Sequence, residues 1–407
     1  MLVAGARRPP RAARNLAHMG LRLITAGESH GPGLTCVLDG LPAGLTLSPE
    51  DIDRDLARRQ LGHGRGGRMK IESDRAKVRG GIRHGRTLGS PVALHVDNRD
   101  YTNWEERMNP WPVEGDVDEV HLPRPGHADL VGTWKYGLTD VRDVLERASA
   151  RETAARVAGG ALAKAFLRVL GVEVRSHVIQ IGAVQAPAPE RLVPADFAKV
   201  DDSPVRCLDL EASAAMVEHI DVQRKANESL GGVFEVRAFG LVPGLGSYAS
   251  WEERLDGRLA GAMMSIQAMK AVGIGDGFDL AGRPGSEAHD EIFHSGEQGF
   301  HRQTNRSGGL EGGMTTGEPL VLRVGMKPLP TLTKPLRSVD TATHEPAQAL
   351  RERTDSTTVP AAGVVGEAMA ALILADAYRS KFGGDHIDDV RAALGAYEER
   401  IGWQRRT

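Results

Sequence analysis

GESHGPGLTCVLDGLPAGL, residues 27–45, has a counterpart 200 residues further along the chain. NESLGGVFEVRAFGLVPGL, residues 227–245, lies over it without a gap, and seven of nineteen positions are identical. They are Glu28/Glu228, Ser29/Ser229, Gly31/Gly231, Gly40/Gly240, Leu41/Leu241, Gly44/Gly244 and Leu45/Leu245. Two further matches follow in the same order. GGIRHGRTLGSPVALHV (80–96) lies over GGLEGGMTTGEPLVLRV (308–324) with eight of seventeen identical. AARVAGGALAKAFL (154–167) matches AAGVVGEAMAALIL (361–374) at seven or eight positions, depending on frame. The third is weakest, because alanine-rich helices resemble each other by chance. Collinear self-similarity marks a duplicated unit, here with halves near 21–180 and 220–385.

The flanking pattern is that of an α/β or α+β protein. LRLITA (21–26), LTCVLDG (34–40), SPVALHV (90–96) and the alternating VEVRSHVIQIG (172–182) predict strands. SPEDIDRDLARRQL (48–61) predicts a helix, with a serine N-cap, proline at N1 and two acids in the first turn. Helical patterning also covers about 140–169, with one break near 148–150, as well as 251–272 and 360–382. No Pro/Ser-rich linker divides the halves, and 183–206 comes nearest to one, so a single two-halved domain is expected over about 21–400. Residues 1–20 carry four arginines and no acid, lack serine, and are expected to be a variable extension outside the fold.

Composition bounds the function. With 51 basic and 54 acidic residues the net charge is −3, which excludes a strongly cationic nucleic-acid coat but not a local basic patch. Two cysteines, Cys36 and Cys207, are too few for a disulfide framework and read as buried thiols in a reducing compartment. No run of about 18 uniformly apolar residues predicts a membrane span.

His30 sits inside the first repeat, where the second half has Leu230. The turn therefore forms without a histidine, which favours a chemical role for His30 over an accident of the loop. ARRQLGHGRGGRMKIESD (57–74) threads Arg58, Arg59, Arg65 and Arg68 through four glycines. Guanidinium forks bind phosphate and carboxylate, and glycines let the backbone approach an anion. A solvated basic loop or a nucleic-acid contact is the alternative, but the segment has no aromatic for base stacking. His127 follows Arg-Pro-Gly in a rigid loop, either as a functional group or as a surface histidine beside Asp129. Asp355 in RERTDSTTVPAAG is either catalytic or a capping carboxylate. Arg147, Ser149 and Arg151 fall in a helical run. Both prolines of KPLPTL (327–332) fix an extended loop. The histidines lack zinc spacing, and Walker, GxSxG and Rossmann fingerprints are absent. What remains is acid–base chemistry on a small anion.

GESHG, RRQLGHGRGGR, RPGHADLVGTWKYG, RASARETAARVAGGALAK, GIGDGF, NRSGGLEGGMTTGEP, KPLPTL and RTDSTTVPAAGVVGEAM closely resemble the chorismate synthase family, in order from about Leu21 into the 380s. The resemblance implies a β-α-β sandwich with internal pseudo-two-fold symmetry, assembled as a homotetramer in the cytoplasm. It implies an anti-1,4-elimination of phosphate from 5-enolpyruvylshikimate 3-phosphate, giving chorismate in the shikimate pathway, with reduced FMN required. His30 would act as an acid toward the flavin, His127 would protonate the departing phosphate, and Asp355 would assist removal of the ring proton. Flavin contacts would come from Arg147, Ala148, Ser149, Gln267, Ala268, Gly312, Lys327, Pro328, Leu329, Pro330, Thr331 and Arg353. Arg59 and Arg65, joined by Arg68, would hold substrate anions or NADP. The reductant would be NADPH or an external flavin reductase. Two other classes compete: a non-catalytic FMN- or phosphometabolite-binding protein, and an RNA-binding protein working through 57–70.

Overall fold

Alternating apolar residues and glycine turns organise the described residues into two larger antiparallel sheets and four two-stranded ones, with long helices against the larger pair. The computed structural model describes residues 20–404, except 67–72, 116, 188, 190, 297 and 353–354. Arg68, Arg353 and residues 1–19 lie outside the described residues. The first half runs β1 (Arg22–Ala26), β2 (Gly33–Asp39), α1 (Pro49–Gln60), β3 (Ala76–Gly80), the hairpin β4 (Ile82–Arg83) and β5 (Arg86–Thr87), and β6 (Val92–Asp97). There follow α2 (Asp129–Tyr136), α3 (Arg142–Ala148), α4 (Thr153–Val169), β7 (Glu173–Ile181), β8 (Val184–Gln185) and α5 (Leu210–Lys225). The second half continues with β9 (Gly232–Phe239), α6 (Leu255–Met264), β10 (Met269–Ile274), the short α7 (Gly285–Ala288) and the hairpin β11 (Ile292–Ser295) and β12 (Gly299–Arg302). It ends with β13 (Leu310–Glu311), β14 (Met314–Thr315), β15 (Leu320–Met326), the pair β16 (Arg337–Val339) and β17 (Pro346–Gln348), α8 (Val359–Phe382) and α9 (Ile387–Ile401). One sheet has the order β1-β2-β6-β3, the other β10-β15-β9-β7-β8.

The period-2 pattern turns Leu34, Cys36 and Leu38 of β2, and Val92, Leu94 and Val96 of β6, into the core. Glycines set how closely the helices meet the sheets. A Cβ at Gly159 of α4 would stand 2.5 Å from Leu23 Cδ1 on β1, and one at Gly160 would stand 2.6 Å from the Cα of Ala368 on α8. On α8 itself, a Cβ at Gly366 would stand 2.6 Å from Phe234 Cε2 on β9. Helix α4 thus packs on the first sheet and on α8, and α8 packs on the second.

The repeats occupy matching elements. Leu34 pairs with Val96 across β2 and β6, and Phe234 pairs with Val324 across β9 and β15. Thr87 Oγ1 donates to Pro42 O at 2.6 Å and accepts from Leu45 N at 3.0 Å. Thr315 Oγ1 does the same with Val242 O at 2.7 Å and Leu245 N at 2.9 Å.

One expectation is corrected. The helix read over 251–272 stops at Met264: Ala268 adopts φ +69°, and Met269–Ile274 leave to pair with β15. The segment 183–206, the nearest thing to a linker, packs on the sheet as a single domain requires: Phe197 meets the His177 ring at 5.6 Å and covers the outer face of β7. That second cover also erases the clean alternation of β7, where Ser176, His177 and Val178 are all buried. Helix α8 is long and apolar enough to cross a membrane, with mean hydropathy 1.6, yet 89% of that stretch is buried within the protein. Its Glu367 is fully buried among Arg58, Lys164 and Arg206, so Arg58 serves the core rather than a ligand.

Candidate active site

The loop after β1 is pinned before it is used. Asn98 Nδ2 donates to Glu28 O at 3.0 Å and Gly31 O at 2.8 Å, and Ser29 N donates to Glu146 O at 3.0 Å. This directs His30 at Glu146 of α3, whose Oε2 accepts from His30 N at 2.8 Å and lies 2.9 Å from Nδ1. Trp104 lies against the imidazole with centroids 4.1 Å apart, and the Arg142 guanidinium lies 5.0 Å over the indole. Arg142 Nη1 also donates to Glu146 Oε1 at 2.9 Å. Burial opposes ionisation of Glu146, but His30 and Arg142 outweigh it and hold the carboxyl below its ordinary range.

His127 has a parallel arrangement. Its Nδ1 lies 2.5 Å from Asp129 Oδ1, and Arg124 donates to Asp129 Oδ2 from both N (3.0 Å) and Nε (2.9 Å). Asp129 is fully buried; burial would raise its pKa, yet hydrogen bonds from His127 and Arg124 drive it far below the usual carboxylate range. The two arrangements meet at Glu352, whose carboxylate lies 3.4 Å from Arg124 and 4.0 Å from Arg142. The path His30–Glu146–Arg142–Glu352–Arg124–Asp129–His127 is continuous.

Arg124 Nη1 donates to Thr331 Oγ1 at 3.0 Å, and Thr331 lines a cleft with Arg65, Gly66, Ser229 and Asp355. Asp355 accepts from Gly66 N at 2.5 Å and pairs with Arg65 at 3.4 Å. The loop 327–331 is held from both sides: Lys327 Nζ donates to Gly126 O, and Leu329 O accepts from Ser229 Oγ at 2.8 Å. In the second repeat, Ser229 and Leu230 therefore support this wall, with Leu230 N donating to Ser356 O at 2.8 Å.

Arg59 is buried behind the cleft. Its Nε reaches Thr153 Oγ1 at 2.9 Å and its Nη2 reaches Ala150 O at 3.0 Å. Nη1 has no hydrogen-bond partner among the described residues. Its carboxylate neighbour, Asp74, lies 3.5 Å away and is held more closely by Arg151 at 2.7 Å. Burial, with Arg151 and Arg65 close by, pulls the Arg59 pKa down to about 9 despite Asp74. Two guanidiniums on one carboxylate leave positive charge uncompensated, a setting that suits an anion.

Among the expected flavin contacts, Arg147 Nη2 donates to Thr25 O at 2.9 Å, and Gln267 Nε2 donates to Glu152 Oε2 at 3.1 Å. Arg147 also lies 3.9 Å from Glu152, so these two residues share a carboxylate. Ala148 and Ser149 end α3 beside them. Among the described residues no donor reaches the buried Gln267 Oε1, which could accept from a polar N–H or O–H of a ligand. Gly312 lies in the turn between β13 and β14, where the next residue, Gly313, faces Arg254 and Ser247. Glu146, Arg142, Trp104, Asn98, Asp74 and Glu352 escaped the sequence reading. Only the i, i+4 spacing of Arg142 and Glu146 hinted at a pair.

Fold and site together define a mixed helix-and-strand protein with an arginine-rich cleft and two carboxylate-held histidines, the equipment of an acid–base enzyme acting on a small polyanion. A sequence profile described as "Chorismate synthase" matches residues 21–378. The chorismate synthase of Rubrobacter xylanophilus is 57% identical over 379 residues, covering 93% of this chain and 96% of that protein. That of Desulforudis audaxviator is 56% identical, with 94% and 98% covered. A solved structure titled "Crystal Structure of Chorismate Synthase" superposes with a TM-score of 0.76 at 41% identity, covering 94% of this chain and 98% of that one. The chain belongs to the chorismate synthase family, whose members are lyases.

Proposed function

We propose that the protein converts 5-enolpyruvylshikimate 3-phosphate to chorismate and phosphate, a 1,4-elimination in the shikimate pathway. A ring C–H bond and an allylic C–O bond break, the ring gains a second double bond, and phosphate leaves. Family membership carries this reading. The observation that supports it within the chain is the continuous ion-paired path from His30 to His127, bordering the Arg65/Asp355 cleft through Thr331.

Arg59 and Arg65, with Arg68, neutralise the two carboxylates and the phosphate of the substrate. His127 gives a proton to the departing phosphate, which lowers the cost of its developing charge. Asp355 assists removal of the ring proton, and His30 is the acid on the cofactor side. Reduced FMN, when bound, supplies an electron-rich ring beside the substrate. Arg147, Ala148, Ser149, Gln267, Ala268, Gly312, Lys327 to Thr331 and Arg353 would hold it, and the buried Gln267 Oε1, to which no described residue donates, fits such a polar ligand. In the same reading NADPH or an external reductase reduces the flavin, and the chain forms a cytoplasmic homotetramer. We further read residues 21–400 as one β-α-β sandwich born of duplication, supported by the matching registers and threonine bridges.

The test is anaerobic incubation with substrate and pre-reduced FMN, with and without NADPH, following chorismate and phosphate together. Stoichiometric appearance of both is expected, independent of NADPH once the flavin is reduced. Binding of FMN without phosphate release would leave a non-catalytic binding protein instead.

A further inference from the structure

Both histidines point the same ring nitrogen at a buried carboxylate. Nδ1 of His30 lies 2.9 and 3.0 Å from the two oxygens of Glu146, and Nδ1 of His127 lies 2.5 Å from Asp129. Each carboxylate is in turn clamped by an arginine, Arg142 on Glu146 and Arg124 on Asp129. We infer that Glu146 and Asp129 are positioning residues that hold both imidazoles with Nδ1 inward and so assign proton delivery to Nε2. The inference rests on the acid roles of His30 and His127.

An ionised carboxylate accepts only, so the nitrogen facing it carries the proton. At His127 the alternative would have Nδ1 accept from Arg124 Nη2 at 3.1 Å. Two lone pairs would then face each other 2.5 Å apart across the Asp129 contact. Arg124 Nη2 has Asp129 Oδ1 at 3.2 Å as its acceptor, so Nδ1–H satisfies every group. The transferable proton of the imidazolium is the one on Nε2. When that N–H bond breaks and an O–H bond forms on the phosphate, the ring is left neutral as its Nδ1–H tautomer, with its carboxylate hydrogen bond intact. No side chain has to turn. At His30 the same carboxylate also accepts from the backbone N at 2.8 Å, fixing main chain and ring together, while Trp104 covers a ring face.

Ring 15N shifts of the full chain labelled with 15N-histidine, assigned by difference against His30→Ala and His127→Ala, test this without turnover. Protonated Nδ1 at both residues is expected; a bare Nδ1 with Nε2–H at either overturns the assignment there. A kinetic arm separates positioning from bulk structure. Glu146→Gln should lower kcat about 10²-fold or more with KM changed less than about threefold, and Glu146→Asp should recover part of it. In a His30→Ala background, Glu146→Gln should change kcat by less than about twofold, because the partner it acts through is gone. Full multiplication of the two effects would overturn the positioning role while leaving the acid role of His30 standing. Wild-type turnover by His30→Ala alone would remove the acid role itself.

Discussion

At His30 the chain spends one side chain where its own second half shows none is needed for folding. The 228–231 loop keeps Glu228, Ser229 and Gly231, and uses Leu230 where the first loop has the imidazole. His30→Ala should therefore lower kcat by about 10²–10⁴-fold, the range for a lost general acid, with little change in melting temperature. Equal activity in that variant would refute the assignment. Asp129 makes a pH prediction. Its folded pKa lies below the ordinary value of about 3.9, so its stabilisation is complete above that value and is lost as the pH falls toward the folded pKa. Asp129→Asn leaves Arg124 without its buried carboxylate and should cost about 3–5 kcal/mol at pH 7. Urea titrations should show the gap from wild type narrowing below about pH 4; a gap independent of pH would contradict the pairing. His30, His127 and Asp355 were legible as candidates because loop composition singles them out. Glu146 was not, since it becomes His30's partner only when folding brings α3 to a loop 116 residues away.

At the scale of elements, the close approach of α4 and α8 makes the next prediction. Gly160→Ala would normally stabilise a helix, but its Cβ would stand 2.4 Å from the Cβ and 2.6 Å from the Cα of Ala368. Overpacking should win, lowering stability by about 1–3 kcal/mol by denaturant titration. A more stable variant would show that the helices can part. Local signals located most elements: Ser48 and Pro49 open α1, and the expected break near 148–150 falls at Ser149, between α3 and α4. They failed where a partner decides. MKAVGI is compatible with a helix, and only the edge of β15 makes it a strand. Likewise β7 lost its alternation to a segment, 194–202, whose docking no local pattern announces.

Across the whole molecule, the offsets of 200 and 228 residues carry a duplicated bridge. Thr87 and Thr315 each tie a turn carbonyl and a turn amide to a hairpin. Thr87→Val and Thr315→Val should each cost about 1–3 kcal/mol, the penalty for unsatisfied buried polar groups, and should agree within about 1 kcal/mol. A large disparity between them would argue against equivalent halves. Duplication was readable from sequence because it repeats residue types at fixed spacing. The junction of the two histidine clusters at Glu352 was not, because Arg124, Arg142 and Glu352 converge only after the chain has folded. A crystal structure with FMN and 5-enolpyruvylshikimate 3-phosphate bound would show whether the two histidines share one site. One shared cavity is expected, with Nε2 of His127 within hydrogen-bond reach of the phosphate, Nε2 of His30 on the flavin side, and Arg59 and Arg65 on the substrate's anionic groups. Substrate bound away from either imidazole, or the two rings opening onto separate surfaces, would contradict it.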